Sequence, residues 1–297
     1  MIEVWKKSEL KRILAAREIH YSKAYGQNFL VDKNTLEKIA DAAEITPDDH
    51  VVEIGPGAGA LTLFLAARAG LVTAVEIDKR LIPVLAEVTE GLTNIDIVCA
   101  DFLKYELPSA EYGVEAGVEA GAESGKYKLV GNLPYYITTP IIAKVCEPSL
   151  RATRSNPVEL AVFMMQKEVA ERLLSPPGKK TYGAISVLVQ YYTEAELLFE
   201  VSSEVFVPKP GVDSAVVRLR LKDLSADDPA VAARMFKLVR AGFDKRRKTL
   251  RNSLADSGFP EKDLLAALES AGIDPVRRAE TLSPGDFYKV ASFLLEK

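Results

Sequence analysis

The chain has 297 residues, 48% hydrophobic and 27% charged, enough for one large α/β domain of about 200 residues plus a smaller one. No stretch reaches about eighteen uninterrupted apolar residues, and Met1 to Lys7 lack the apolar segment of a signal peptide, so a soluble cytoplasmic protein with no membrane attachment is expected. The formal charge of −4 speaks against a uniformly basic nucleic-acid binder, and with only His20 and His50 neither a metal cluster nor a histidine general base is expected. Cys99 and Cys146 read as buried thiols rather than a disulfide.

In chain order, Ser8 to Ile19 has helical spacing, with Leu10, Ile13 and Leu14 on one face and Ser8 as N-cap. Lys6, Lys7, Lys11, Arg12, Arg17 and Lys23 make residues 1–24 a basic helical extension, with Glu3, Glu9 and Glu18 interspersed. A second helix is expected over Asp32 to Ala43. Val51-Val52-Glu53-Ile54 is then a β-branched run that stops at Gly55-Pro56-Gly57-Ala58-Gly59, and Ala60 to Ala69 repeats apolar residues at helical spacing. This is strand, glycine turn, helix. Such a turn lets backbone approach a ligand where a Cβ would collide, and the N–H groups of the following helix favour polar or anionic groups. The third glycine falls one position short of G-x-G-x-x-G, which argues against NAD.

A second strand, Leu71 to Val75, ends in Glu76, about twenty residues beyond the first glycine, where a carboxylate accepts from both hydroxyls of a ribose. Glu76 alone suits NAD or another adenosine-containing cofactor. Ile95 to Ala100 runs into Asp101-Phe102, and Asp101 reads either as an acceptor for an adenine N6 or as a turn cap. Between Glu111 and Glu123 a glutamate recurs at every fourth position with three glycines between, a pattern that opposes helix. A flexible acidic insertion is expected near 109–126, as a tolerated surface loop.

The apolar strand Lys128-Leu129-Val130 leads to Asn132-Leu133-Pro134-Tyr135. The Asn132 amide oxygen and the Leu133 carbonyl together can accept both hydrogens of an exocyclic amine, Pro134 fixes the backbone, and the Tyr135 ring offers a flat face to a base. That suits N-methylation of an adenine. A plain Asn-x-Pro turn is the alternative for these four residues by themselves. In context the glycine turn, Glu76, Asp101 and Asn132 stand in order at the carboxyl ends of four successive strands, which is far more specific than any one of them.

Val158 to Met164 reads as a fifth strand, with Met164 and Met165 in the core, and Gln166 to Leu174 as a helix. Ser175 to Gly183 is a loop in which Lys179, Lys180 and Tyr182 either touch the adenine-bearing substrate or are merely exposed. Ala195 to Val201 and Ala215 to Leu221 form a terminal hairpin joined through Phe206 to Gly211. Leu224 to Pro229 is a linker, and Ala230 to Lys297 is helical. The expected domains are therefore 1–24, 25–222 and 223–297. From Arg234 to Arg251 eight basic residues face one acidic residue, Asp244, and Lys245, Arg246, Arg247, Lys248 and Arg251 suit phosphate contact. A solvated helix face is the other reading of an isolated basic run.

The segments Tyr25-Gly26-Gln27-Asn28-Phe29-Leu30-Val31-Asp32, Glu53-Ile54-Gly55-Pro56-Gly57, Gly131-Asn132-Leu133-Pro134-Tyr135, Gln166-Lys167-Glu168 and Val212-Asp213-Ser214-Ala215-Val216-Val217 resemble those of the ribosomal RNA adenine dimethyltransferases, specifically the small-subunit branch. The resemblance runs from about Tyr25 to the C-terminus. It implies an α/β fold, the class I methyltransferase Rossmann-like sheet, with a small α-helical C-terminal domain that binds RNA. It also implies S-adenosyl-L-methionine as donor, with S-adenosyl-L-homocysteine as product. The implied reaction is dimethylation of N6 on two adjacent adenosines near the 3′ end of small-subunit (16S) rRNA in an immature ribosomal subunit. The family's cofactor contacts fall on Asn28, Leu30, Gly55, Glu76, Asp101 and Asn132. Tyr135 becomes the base-stacking ring, and Phe29 and Phe206 the other walls of the target pocket. A monomer is expected, and the basic extension faces the same RNA.

Three other readings stay open at this point. A large-subunit rRNA adenine methyltransferase of the antibiotic-resistance type shares the pocket motifs, although the Val212 to Val217 run and the long C-terminal domain favour the small-subunit branch. A noncatalytic RNA-binding assembly factor on the same fold would not need Gly55, Glu76, Asp101 and Asn132 intact. An NAD-dependent dehydrogenase needs a fingerprint that the glycine spacing does not supply.

Overall fold

The computed structural model describes residues 2–22, 25–107, 126–146 and 157–294. Its contacts divide the chain into two compact units, Met1–Ala170 with Glu196–Leu221, and Glu171–Ala195 with Lys222–Lys297. Most of the acidic stretch expected near 109–126 lies outside the described residues.

The first unit opens with α1 (Lys7–Ala15), β1 (Phe29–Leu30) and α2 (Lys33–Ala42). Ser8 does not cap α1. The Lys6 carbonyl accepts the first helical bond, from Leu10 N–H, so the helix begins ahead of Ser8. It closes at Ala15, short of Ile19, because Glu18 turns left-handed (φ 54°) and Ile19 N–H reaches back to the Leu14 carbonyl. Asp32 does cap α2, its carboxylate accepting from Thr35 N–H at 2.8 Å.

The alternation continues through β2 (His50–Ile54), α3 (Ala60–Ala66), β3 (Leu71–Glu76), α4 (Ile82–Val88), β4 (Ile95–Cys99), β5 (Tyr127–Asn132), α5 (Thr138–Cys146) and β6 (Val158–Gln166). α3 is shorter than the apolar spacing predicts, because the Asn94 amide donates to the Ala66 and Ala69 carbonyls at 2.8 and 2.9 Å and satisfies the chain end of the helix. After α6 (Lys167–Leu174) and α7 (Ala184–Tyr192), the chain forms β7 (Thr193–Val201), β8 (Phe206–Val207) and β9 (Ser214–Leu221).

Seven strands form one sheet in the order β4-β3-β2-β5-β6-β9-β7, while β1 and β8 pair separately. β4, β3, β2, β5 and β6 run parallel, and β9 is antiparallel to β6. The chain runs outward from β2 to β4, then returns to β5 on the other side of β2. That reversal opens a crevice at the carboxyl ends of β2 and β5. Strand approach there demands glycine: a Cβ on Gly131 would sit 2.7 Å from the Ile54 carbonyl oxygen.

The core beneath the crevice joins α2 and α3 to the sheet through Leu36, Ile39, Leu65, Val130, Val162 and Met164. Met164 and Met165 are both fully buried, as their apolar strand predicts. Cys146 is buried on α5, but Cys99 is exposed, since β4 is the sheet's edge strand and covers only part of its surface.

The second unit gathers α7 with α8 (Pro229–Asp244), α9 (Leu250–Ser253), α10 (Glu261–Ala271) and α11 (Pro284–Ser292). Aromatic packing explains why 171–195, within the 25–222 span drawn from sequence, groups with these helices. Tyr192 stacks on Phe236 at 5.5 Å, Tyr191 on Tyr288 at 5.9 Å, and buried Tyr182 donates its hydroxyl to the Leu282 carbonyl at 2.9 Å. Asp228 caps α8 by accepting from Ala230 N–H, with Pro229 in the first turn.

Candidate active site

An open cleft of about 1120 Å³, including its mouth, lies at the carboxyl ends of β2 to β5. It is lined by Asn28, Phe29, Leu30, Gly55, Glu76, Asp101, Asn132, Leu133, Pro134 and Tyr135, ten of the eleven residues predicted for the cofactor, the chemistry and the target base. Phe206, the eleventh, is 3% exposed and lies in the core, on the strand that pairs with Leu30. An aromatic residue in a short strand is readily drawn inward, and its F-x-P-x-P setting carries no sign of which way it faces. The Phe29 ring lies against the glycine turn, since a Cβ on Gly57 would meet it at 3.1 Å.

Two hydrogen bonds latch the Tyr25–Leu30 segment over this cleft. The Gln27 amide donates to the Asp78 carboxylate at 2.7 Å, and Asp78 is held in turn by Arg80. The Asn132 amide nitrogen donates to the Asn28 main-chain carbonyl at 2.9 Å. That bond orients Asn132: one of its two N–H donors is held by the latch, which fixes the amide's direction. Leu133 N–H is committed to the Met164 carbonyl at 2.9 Å. Among the described residues, neither Asn132 Oδ1 nor the Leu133 carbonyl accepts a hydrogen bond. Tyr135 is anchored by its hydroxyl, 3.1 Å from Ser214 Oγ on β9, and its ring is half-buried.

The glycine turn leaves open space at the cleft. Gly55 has φ +68°, and nothing lies within 4 Å of where its Cβ would stand. Glu76 accepts from Gly57 N–H at 2.9 Å and Asp78 N–H at 2.8 Å, so each carboxylate oxygen holds one backbone donor and keeps a further lone pair. Burial pushes the Glu76 pKa up, against the two N–H donors, with the Asp78 charge adding to the rise. Asp101 accepts from Leu103 N–H at 3.0 Å, so the turn-cap reading holds, and the residue also lines the cleft.

Sequence reasoning missed three contributors. Lys144 on α5 donates to the Phe102, Leu103 and Tyr105 carbonyls at 2.8, 2.9 and 2.6 Å, clamping the turn that presents Asp101. Gln27 stood inside a quoted motif, but its acceptor lies 51 residues away. Glu53, only 1% exposed behind the glycine turn, accepts from Thr62 Oγ1 at 2.6 Å. Burial pushes its pKa up to about 8 despite the Thr62 bond, and the Glu76 charge raises it further.

The predicted phosphate-binding residues are divided. Arg246 donates to the Lys180 and Tyr182 carbonyls at 2.9 Å and pairs with Glu280 at 3.3 Å. Lys245 pairs with Asp256 at 2.5 Å and Arg251 with Glu261 at 2.8 Å. Arg234 is 9% exposed and donates to the Ala291 carbonyl. Arg247 and Lys248 are exposed, with no side-chain partner among the described residues. Tyr182, offered as an RNA contact, is buried instead. In the N-terminal extension Lys6 pairs with Glu3 at 2.5 Å, Arg12 with Glu9 at 2.9 Å and Arg17 with Glu87.

Among the described residues no group of three or more His, Cys, Asp or Glu is arranged to hold a metal ion, and no helix is long and apolar enough to cross a membrane. The sheet order, its one antiparallel insertion and a glycine-lined crevice followed by two acidic strand ends define a class I methyltransferase, a fold that works with S-adenosylmethionine. The chain belongs to the ribosomal RNA adenine dimethylase family, whose model matches residues 19–296.

It is 48% identical, over the whole chain and 99% of the relative, to "Ribosomal RNA small subunit methyltransferase A" of Pelotomaculum thermopropionicum. It is 46% identical to the protein of the same name from Moorella thermoacetica, over 92% of each. Among solved structures, a dimethyladenosine transferase from Plasmodium falciparum superposes with TM-score 0.72 at 28% identity, over 88% of this chain and 95% of that one. The 23S rRNA methyltransferase ErmE superposes with TM-score 0.67 at 31% identity, over 90% of this chain and 99% of that one.

Proposed function

We infer that this chain is an S-adenosylmethionine-dependent methyltransferase that dimethylates N6 of two adjacent adenosines near the 3′ end of small-subunit (16S) rRNA, as part of small-subunit biogenesis. The observation that carries the chemistry is the pair of unclaimed acceptors, Asn132 Oδ1 and the Leu133 carbonyl, beside an anchored aromatic ring. Relatives at 41–48% identity named for the small subunit, against 31% for the large-subunit enzyme among solved structures, support the choice of substrate.

Adenine N6 is a poor nucleophile because its lone pair is delocalised into the ring. Acceptance of its two hydrogens by Asn132 and Leu133 favours a pyramidal nitrogen whose lone pair is directed out of the ring plane. When bound, S-adenosylmethionine supplies an electrophilic methyl group on its sulfonium. Gly55, Glu76, Asp101, Asn28 and Leu30 would hold that donor, and Asn132, which lines the same cleft and is tied to the Asn28 carbonyl, stands between the two ligands. No strong base is required, because the N6 nitrogen becomes strongly acidic once the carbon–nitrogen bond has formed and its proton then passes to solvent water. Positioning and preorganised dipoles supply the acceleration. Tyr135 stacks on the flipped base and offsets unstacking by about 1–3 kcal/mol. The Phe29 ring forms a second wall. Phe206 reaches the pocket only if the β1–β8 pair shifts.

The substrate in this reading is an immature ribosomal subunit, and the protein acts as a cytoplasmic monomer. Residues 25–222 carry the chemistry. The helical segment 223–297 supplies RNA phosphate contacts through Arg247 and Lys248, with Lys245 and Arg251 exchanging their carboxylate partners for phosphates. Arg246 holds the segment together.

The test is incubation with radiolabelled methyl donor and immature small subunits, alongside large subunits and an Asn132→Ala variant. Label in small-subunit adenosines that disappears in the variant supports the reading. Label confined to the large subunit moves the enzyme to the ErmE-like substrate, and donor binding with no transfer to either subunit favours a noncatalytic assembly factor.

A further inference from the structure

The turn after Asn132 ends in two adjacent tyrosines that point to different parts of the cleft. Tyr135 is tied to β9 by Ser214. Tyr136 has no hydrogen-bond partner among the described residues and is 54% exposed, yet it lines the same cleft.

One side of the Tyr136 ring rests on the latched N-terminal segment: a Cβ built on Gly26 would stand 3.3 Å from its Cδ1 and 3.4 Å from its Cε1. Gly26 takes φ +57° and precedes Gln27 and Asn28, whose bonds to Asp78 and Asn132 hold that segment in place. Tyr136 shares the cleft lining with Glu76 and Asp101, and burial, then the charges of Asp101, Tyr25 and Glu76, push its phenol pKa up. Tyr136 thus packs on the segment that Gln27 ties to Asp78, two residues past Glu76, while Tyr135 is held on the side bounded by β9.

A ring packed on backbone along one side and bare on the other is a platform that gains by being covered. We propose that Tyr136 retains the cofactor, its ring forming the outer wall of the adenosine-binding half of the cleft and becoming buried when S-adenosylmethionine or S-adenosylhomocysteine is bound. The proposal rests on the reading that Glu76 and Asp101 hold the adenosine end of the cofactor.

Calorimetric titration of the full chain with S-adenosylhomocysteine tests this without requiring turnover, using the parent, Tyr136→Phe and Tyr136→Ala, with thermal midpoints as folding controls. The expected result is about tenfold weaker binding for Tyr136→Ala and a change within about twofold for Tyr136→Phe, as for loss and retention of one aromatic contact. Equal affinity of Tyr136→Ala and the parent overturns the proposal. So does unchanged affinity with weakened binding of small subunits, which assigns the ring to RNA. A parent that does not bind S-adenosylhomocysteine overturns the underlying reading of the cleft, a failure distinguishable from the first two.

Discussion

The cleft at the sheet's carboxyl edge and the basic run of the C-terminal helices use polar groups in opposite ways. In the cleft, hydrogen bonds inside the protein leave particular acceptors open among the described residues: Asn132 gives one N–H to Asn28 and keeps its oxygen, while Leu133 gives its N–H to Met164 and keeps its carbonyl. In the basic run most of the charge is already used, with Arg234 and Arg246 on backbone carbonyls and Lys245 and Arg251 on carboxylates. A count of basic residues therefore overstates the surface ready for phosphate, whereas a spacing motif marks groups that remain open.

This contrast predicts a ranking. Asn132→Ala removes one of two preorganised acceptors and lowers methyl transfer by about 10²–10³-fold in single-turnover assays on small subunits, while loss of its bond to Asn28 lowers stability by only about 1 kcal/mol. Tyr135→Ala removes the stacking ring and costs about 1–3 kcal/mol in transfer efficiency. Tyr135→Phe, which loses only the contact to Ser214, falls by much less. If both variants are equally impaired, the hydroxyl and not the ring is what matters.

In the C-terminal segment the two kinds of arginine separate. Arg246→Ala lowers stability by about 1–2 kcal/mol in denaturant melts, because it strips donors from two carbonyls. Arg247→Ala and Lys248→Ala leave stability unchanged and each reduce the salt slope of RNA binding by roughly 1. A lower salt slope for Arg246→Ala at full stability would reverse the division drawn here.

The effect expected at Glu53 is one of pH and not of binding. Its folded pKa, about 8, lies above the ordinary glutamate value of 4.5. The unfolded chain loses this proton first, so the stabilising contribution is complete below pH 4.5 and is lost as pH rises toward 8, at no more than about 1.4 kcal/mol per pH unit. Glu53→Gln, which keeps an acceptor for Thr62, should flatten that part of the stability profile. An unchanged slope would mean that the group is ionised in the folded protein.

Much of the cleft was legible in the sequence because its parts sit at strand ends, where a short local pattern reports both the strand and the residue that follows it. Gly55, Glu76, Asp101 and Asn132 need only the parallel order of their strands to converge. The features that escaped depend on remote partners: Lys144 acts on carbonyls about forty residues upstream, which carry no side-chain signature. α7 escaped because Ala184–Tyr192 is a nearly continuous apolar run, which does not distinguish helix from buried strand. Ser8 lies inside α1 and not at its cap, because residue type marks a preference for capping and not where the first helical bond forms. The Pro134-Tyr135-Tyr136 sequence did carry a signal for a second ring at the cleft, but not the direction in which it leaves the turn.

The most direct measurement is mass-spectrometric mapping of methylated nucleosides in small and large subunits after reaction with the purified chain and S-adenosylmethionine. N6,N6-dimethyladenosine at two adjacent positions near the 3′ end of the small-subunit rRNA is the predicted result. Methylation found only in the large subunit, or none in either, would contradict the account.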